Sequence, residues 1–170
     1  ELGAYFTPRE IVEFTVSMID PGPDDVILDP SCGSGGFLIM AIKYVLAKTR
    51  AALPNLSDAD IYAQIRQFAQ NNLFGVDIND RMARVAKMNM IMHGDGHAGI
   101  FHEHGLNIGH TKRIPIKFRD ITKIFSNPPF AGREDDPGQL EKFETAKTAT
   151  GKVVSLNKSV PFVEMIINLM

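Results

Sequence analysis

Apolar and polar positions along this chain follow two periods in turn, and each change from one to the other marks an element. Thr7-Pro8-Arg9-Glu10 opens a helix, since threonine caps, proline suits the first turn and glutamate three places on closes a capping box. Ile11, Phe14, Val16, Met18 and Ile19 carry it to Asp20, where Pro21-Gly22-Pro23 ends it. Val26-Ile27-Leu28, an apolar run between breakers, reads as a buried strand that delivers Asp29 at its carboxyl end. A glycine-rich turn follows over residues 31–36, then a helix over residues 37–50. Ser57 caps a further helix to Gln70, and Leu73-Phe74-Gly75-Val76-Asp77 reads as a second buried strand ending in a carboxylate. Asn79 caps the next helix, which runs through Met82, Val85, Ala86, Asn89 and Met90 until His93-Gly94. Residues 121–126 make a third strand aimed at Asn127-Pro128-Pro129-Phe130, and residues 160–170 a last helix.

Strands that alternate with helices predict an α/β fold with a doubly wound, mainly parallel sheet, whose ligands sit outside the carboxyl ends of the strands. Every polar cluster named above falls at such an end. Residues 133–158 are polar and read as a long loop. Glu1 in first place and an apolar segment stopping at Met170 suggest a piece of something longer, a single truncated domain over residues 1–170.

Composition changes this picture little. An apolar share of 44% is that of a soluble globular protein, no apolar run nears the roughly 18 residues of a membrane helix, and no signal peptide is evident, so a cytoplasmic location is expected. The lone Cys32 excludes an intramolecular disulfide and reads as packing. A net charge of −2 offers no electrostatic case for nucleic-acid binding, although Lys112, Arg113, Lys117, Arg119 and Lys123 form a local basic stretch. His93, His97, His102, His104 and His110 lack zinc spacing and read as loop or surface residues; no metal is expected.

Asp29-Pro30-Ser31-Cys32-Gly33-Ser34-Gly35-Gly36-Phe37 places three glycines between a strand and a helix, where backbone approaches a ligand closely. The spacing departs from the dinucleotide fingerprint, and the lysine of a phosphate-binding loop is missing. Asp77, at the end of the second strand, is placed to accept from both hydroxyls of a ribose, which points to an adenosine head.

Gly3-Ala4-Tyr5-Phe6-Thr7-Pro8, the glycine loop, Phe74-Gly75-Val76-Asp77 and Asn127-Pro128-Pro129-Phe130 stand in an order that resembles N6-adenine DNA methyltransferases, above all the methylation subunits of type I restriction-modification systems. The resemblance spans nearly the whole chain and implies a Rossmann-like fold that uses S-adenosylmethionine. It implies that Tyr5, Phe6, Thr7 and Pro8 line the cofactor pocket, that Asp29, Ser31, Gly33, Ser34, Gly35 and Gly36 hold the methionine end, and that Asp77 holds the ribose. Where that family commonly has an aspartate touching the cofactor's adenine, this chain has Glu103-His104-Gly105-Leu106, and the contact is left unassigned. DNA with a flipped adenine, a specificity subunit and a restriction subunit are the partners it implies.

Asn127-Pro128-Pro129-Phe130 suits transfer to an exocyclic amino group. The lone pair of that nitrogen is delocalised into the ring. Two acceptors, the Asn127 side-chain oxygen and the Pro128 carbonyl, can take its two hydrogens and favour a pyramidal nitrogen, while the prolines limit relaxation. Phe130 stacks on the base. The same four residues serve an adenine in RNA or a glutamine amide in a protein, and a scaffold that only binds cofactor is the reading from another class.

Overall fold

The computed structural model describes residues 6–94, 99–114 and 120–170. Among them, four parallel strands form one sheet in the order β3-β2-β1-β4, with β1 Ile27–Asp29, β2 Leu73–Asp77, β3 Ile100–His102 and β4 Lys123–Ile124. Strand order reverses between β1 and β4, so the crevice beyond their carboxyl ends is where an open α/β sheet binds ligands.

Strand alternation divides the core in two. Ile27 and Leu73 point to a face covered by α1 Arg9–Ile19, α2 Gly36–Ala52, α3 Asp58–Asn72 and α4 Asp80–Met92. Leu28 and Val76 point to the other, where Leu106, Leu140, Phe143 and the terminal helix pack. Helices on both faces make the sheet doubly wound, as expected. Gly75 is required by this packing, because a Cβ there would lie 2.9 Å from Leu38 Cδ1 and 2.8 Å from Ile100 Cδ1.

Two caps form as the sequence implies: Ser57 accepts from the Asp60 N–H, and Asn79 accepts from those of Arg81 and Met82. The first helix differs. Its N-cap is Pro8, with no side-chain cap bond among the described residues, so the Thr7–Glu10 capping box does not form. Its buried positions are Val12 and Val16, whereas Ile11, Phe14, Met18 and Ile19 are exposed, because apolar residues spread over more of the helix than its contact with α2 can cover.

The segment 121–126 supplies the fourth strand, not the third, and only Lys123–Ile124 pairs; the third is the short β3, whose three residues give too little alternation to register. Residues 133–158 are likewise no plain loop. They hold a short antiparallel pair, β5 Arg133–Glu134 with β6 Leu156–Asn157, and between them the turn of helix α5 Pro137–Leu140. Leu140, Phe143 and Ala146 bury this excursion against the sheet, and α6 Ser159–Leu169 follows.

Candidate active site

The turn after β1 is built by its own backbone. Gly33 and Gly35 take left-handed conformations (φ 53° and 84°) that side chains resist, and the Gly35 N–H donates to the Cys32 carbonyl at 2.8 Å before α2 begins. The Asp29 carboxylate accepts the Ser31 N–H at 3.1 Å and is buried at 1% exposure. Burial, reinforced by the nearby Asp77 charge, pushes its pKa up to about 7, against the pull of the Ser31 N–H. From α4, the Asn89 amide donates to the Ser34 carbonyl at 2.9 Å, tying the loop to the helix behind it.

Asp77 fastens the loop from the neighbouring strand. Its Oδ2 accepts the Gly33 N–H at 2.9 Å and its Oδ1 the Asn79 N–H at 2.8 Å. Each oxygen keeps a lone pair for a further donor. Burial raises the carboxyl's pKa, and the two N–H groups counter that rise.

Beyond β4, the Ser126 hydroxyl lies 3.1 Å from that of Ser31, joining the two strand tips. Phe125, fully buried, stacks on Phe37 with ring centroids 5.5 Å apart, which anchors the residue pair before the turn. The Asn127 side-chain NH2 donates to Thr7 Oγ1 at 3.0 Å, and its Oδ1 has no side-chain or backbone donor among the described residues.

A cavity of about 300 Å³ connects these parts, lined by Ser31, Gly33 and Asp77 on one side and Asn127, Pro128, Pro129 and Phe130 on the other. Phe130, with 63% of its surface exposed, stands open at the rim. Asp29, Ser34, Gly35 and Gly36 stand behind the wall and shape it, while Phe6, Thr7 and Pro8 do not line it. Tyr5, with His97, Lys117 and Arg119, lies outside the described residues.

The far wall comes from residues that motif reasoning did not select, namely His104, Gly105, Glu134, Lys158 and Phe162. Glu103 turns away, accepting from the His104 N–H and the Asn107 amide, so of that pair it is His104 that faces the cavity. His104 lies in a loop, as expected, but it is largely buried in the cavity wall and not a surface residue. Its Nδ1 accepts the Leu106 N–H at 3.2 Å, which places the ring proton on Nε2, 3.5 Å from Glu134 Oε2. Burial lowers the His104 pKa, with Glu134 opposing. Gly105 permits the approach, since a Cβ there would stand 2.3 Å from the Pro30 carbonyl oxygen and 2.8 Å from Phe162 Cε1. These residues were hidden because they come from the loop after β3, the excursion and α6, far from any motif; the glycine after His104 was the one available signal.

Among the described residues no three His, Cys, Asp or Glu side chains gather in a way that could hold a metal, and no helix is long and apolar enough to cross a membrane.

A profile of the N-6 DNA methylase family matches residues 1–170. The chain belongs to that family. It is 31% identical over 81% of its length to the type II restriction enzyme and methyltransferase RM.BcgI of Heyndrickxia coagulans, covering 20% of that protein. It is 30% identical over 85% of its length to the type I restriction enzyme EcoEI methylase subunit of Escherichia coli, covering 28% of it. In three dimensions it resembles a crystal structure of a modification subunit assigned to a type I restriction enzyme of Vibrio vulnificus, with a TM-score of 0.71 and 26% identity over 97% of this chain and 30% of that one. The chain thus spans less than a third of the length of these relatives.

Proposed function

We propose that this domain, residues 1–170, transfers a methyl group from S-adenosylmethionine to the N6 amino group of an adenine in DNA, as the modification component of a type I restriction system. The observation that carries the proposal is the single cavity with a ribose-type acceptor, Asp77, on one wall and the Asn127-Pro128-Pro129-Phe130 turn on the other. Membership of the N-6 DNA methylase family supports the choice of adenine in DNA over an RNA base or a glutamine amide.

The residues present fit the cofactor. The cavity lies in the lower part of the usual range for small-ligand sites, Gly33 leaves open space where a side chain would project, and Asp77 retains acceptor capacity after its two backbone bonds. When bound, S-adenosylmethionine supplies an electrophilic methyl group on a sulfonium. Asp77 would hold the ribose hydroxyls; Ser31 and Gly33, with Ser34, Gly35 and Gly36 shaping the turn behind them and the buried Asp29 setting its charge, would hold the methionine end. Tyr5, Phe6, Thr7 and Pro8 complete the cofactor side in this reading.

On the substrate side, Asn127 Oδ1 and the Pro128 carbonyl accept the two amino hydrogens of the target base. This directs the nitrogen lone pair toward the donor and stabilises the positive charge that develops on nitrogen. Phe130, open at the rim, offers a stacking face for a base turned out of the duplex. Catalysis then consists of positioning and electrostatics, and the surplus proton leaves to water. A net charge of −2 suits a unit that relies on others to grip DNA, so a specificity subunit, and a restriction subunit beside it, belong to the proposal, as does a cytoplasmic location where the DNA is.

The test is radiolabelled methyl transfer by the complete natural protein, with its partner subunits, to unmethylated DNA, followed by nucleoside analysis. Label in N6-methyladenine is expected. Label in RNA or protein alone, or cofactor binding with no transfer, rejects the proposal.

A further inference from the structure

We infer that Lys158 binds a backbone phosphate of the nucleotide whose base enters the cavity. The inference rests on the DNA methyl transfer proposed above and adds a contact that holds the substrate strand.

Lys158 immediately precedes α6 and lines the cavity. Its N–H donates to the Gly132 carbonyl at 3.2 Å, which fixes it against the turn that carries Phe130. The glycine loop runs into α2 on one face of the sheet, whereas α6 packs on the other, so Lys158 stands across the cavity from the wall given to the methionine end. It belongs to the substrate side.

Among the described residues that line the cavity, Lys158 is the only lysine or arginine, and Asp77 and Glu134 are the only acids. Glu134 turns both oxygens elsewhere: Oε1 accepts the Asp136 N–H at 3.2 Å, and Oε2 meets His104 Nε2 at 3.5 Å. Asp77 is engaged by the Gly33 and Asn79 N–H groups. Lys158 thus has no ion-pair partner among the described residues. Burial lowers the His104 pKa and the Lys158 charge adds to that, so the cation is felt inside the cavity.

A half-buried ammonium with no counter-ion at the mouth of a ligand site calls for an anion. A base turned out of the duplex brings one, because only the base enters the pocket and the phosphates on either side stay at the rim. Phe130, exposed beside Lys158, marks that rim. The compact charge and flexible stem of lysine suit a phosphate, which is held as a point charge. Such a contact sets the register of the strand without reading its sequence. In a chain of net charge −2 with no broad basic field, one placed cation weighs more.

The test uses the complete natural protein with its partner subunits and a short duplex carrying one site mapped by sequencing the methylated adenines of cells that hold the natural gene. Methyl transfer gives kcat/KM for DNA at saturating S-adenosylmethionine, at about 50 mM and about 200 mM salt. Lys158→Met keeps the length of the stem without its charge. It should lose about fifteenfold at the lower salt and about fourfold at the higher, the convergence expected when one phosphate contact is gone. Lys158→Arg should restore the parent's salt dependence, and calorimetric affinity for S-adenosylmethionine should stay within about twofold in both. Lys158→Gln, also neutral, should match the methionine variant and replaces it if that variant does not fold. Equal salt dependence in parent and neutral variants overturns the inference, as does failure of arginine to restore it. A loss of cofactor affinity in its place would make Lys158 a partner of the cofactor's carboxylate and overturns it too. A parent protein that methylates no DNA brings down the proposed reaction itself, whereas an active parent matched by Lys158→Met at both salts sinks only the role of Lys158.

Discussion

Replacing Asp29 by asparagine removes a charge that the fold holds at a cost. The carboxyl is 1% exposed, and its pKa in the folded chain is about 7 against an ordinary 3.8. An acid whose pKa rises on folding binds its proton more tightly in the native state, so stability is greatest below pH ~4, declines as pH rises from there to about 7, and levels off above. Integrated over that window, ionisation of Asp29 costs roughly 1.5 kcal/mol at pH 5 and roughly 4 kcal/mol at pH 8. Asparagine keeps an oxygen for the Ser31 N–H and cannot ionise. Any fixed cost of the amide cancels when two pH values are compared. The expected result is that the Asp29→Asn effect on unfolding free energy is more favourable at pH 8 than at pH 5 by about 2.5 kcal/mol. Denaturant melts of both proteins, without cofactor, measure it directly. An equal effect at both pH values, or a larger gain at pH 5, would refute the placement of a neutral-leaning carboxyl in this turn.

Asp77→Ala should weaken S-adenosylmethionine binding by about a hundredfold, the loss of acceptors for two hydroxyls with the Gly33 and Asn79 N–H groups released as well; calorimetry that finds native affinity contradicts the ribose role. Gly105→Ala should lower stability by about 1–3 kcal/mol, because the new methyl group meets the Pro30 carbonyl and the Phe162 ring, and a thermal melt like that of the parent would show that wall to be loose. Phe125→Ala should cost about 3–5 kcal/mol through the cavity left beside Phe37, read from denaturant unfolding; a cost under about 1 kcal/mol would mean that the turn after β4 does not depend on that stack.

The sheet was legible wherever local signals agreed. Val26-Ile27-Leu28 and Leu73 to Asp77 are short apolar runs between breakers, and both emerge as neighbouring central strands. Ser57 and Asn79 have no competing partner near at hand, so their caps form as capping chemistry predicts. Thr7 has one, Asn127, supplied by the turn after β4 more than a hundred residues away, and a local rule cannot anticipate it. The apolar face of α1 misled for a related reason: hydrophobic residues mark possible burial, and only Val12 and Val16 find a partner surface here.

The motif-bearing half of the site, Gly33, Asp77 and the Asn127 turn, could be read from residues because each sits at a strand end, where an α/β sheet places its ligands. The opposite wall could not. His104 reaches the cavity only because Gly105 lets the chain pass close to Pro30 and Phe162, and Glu134 and Lys158 arrive through an excursion whose fold is set by buried Leu140 and Phe143. Those are tertiary facts with no periodic trace in the sequence.

In the proposed reaction, Asn127 and Pro128 present two oxygens to an adenine amino group. Base-resolved sequencing of genomic DNA, from cells carrying the natural gene, cells lacking it and cells with chromosomal Asn127→Ala, tests it most directly. N6-methyladenine at a defined set of sites should be present in the first and absent from the other two. Methylation that persists unchanged in the Asn127→Ala strain would show that these oxygens do not hold the amino group.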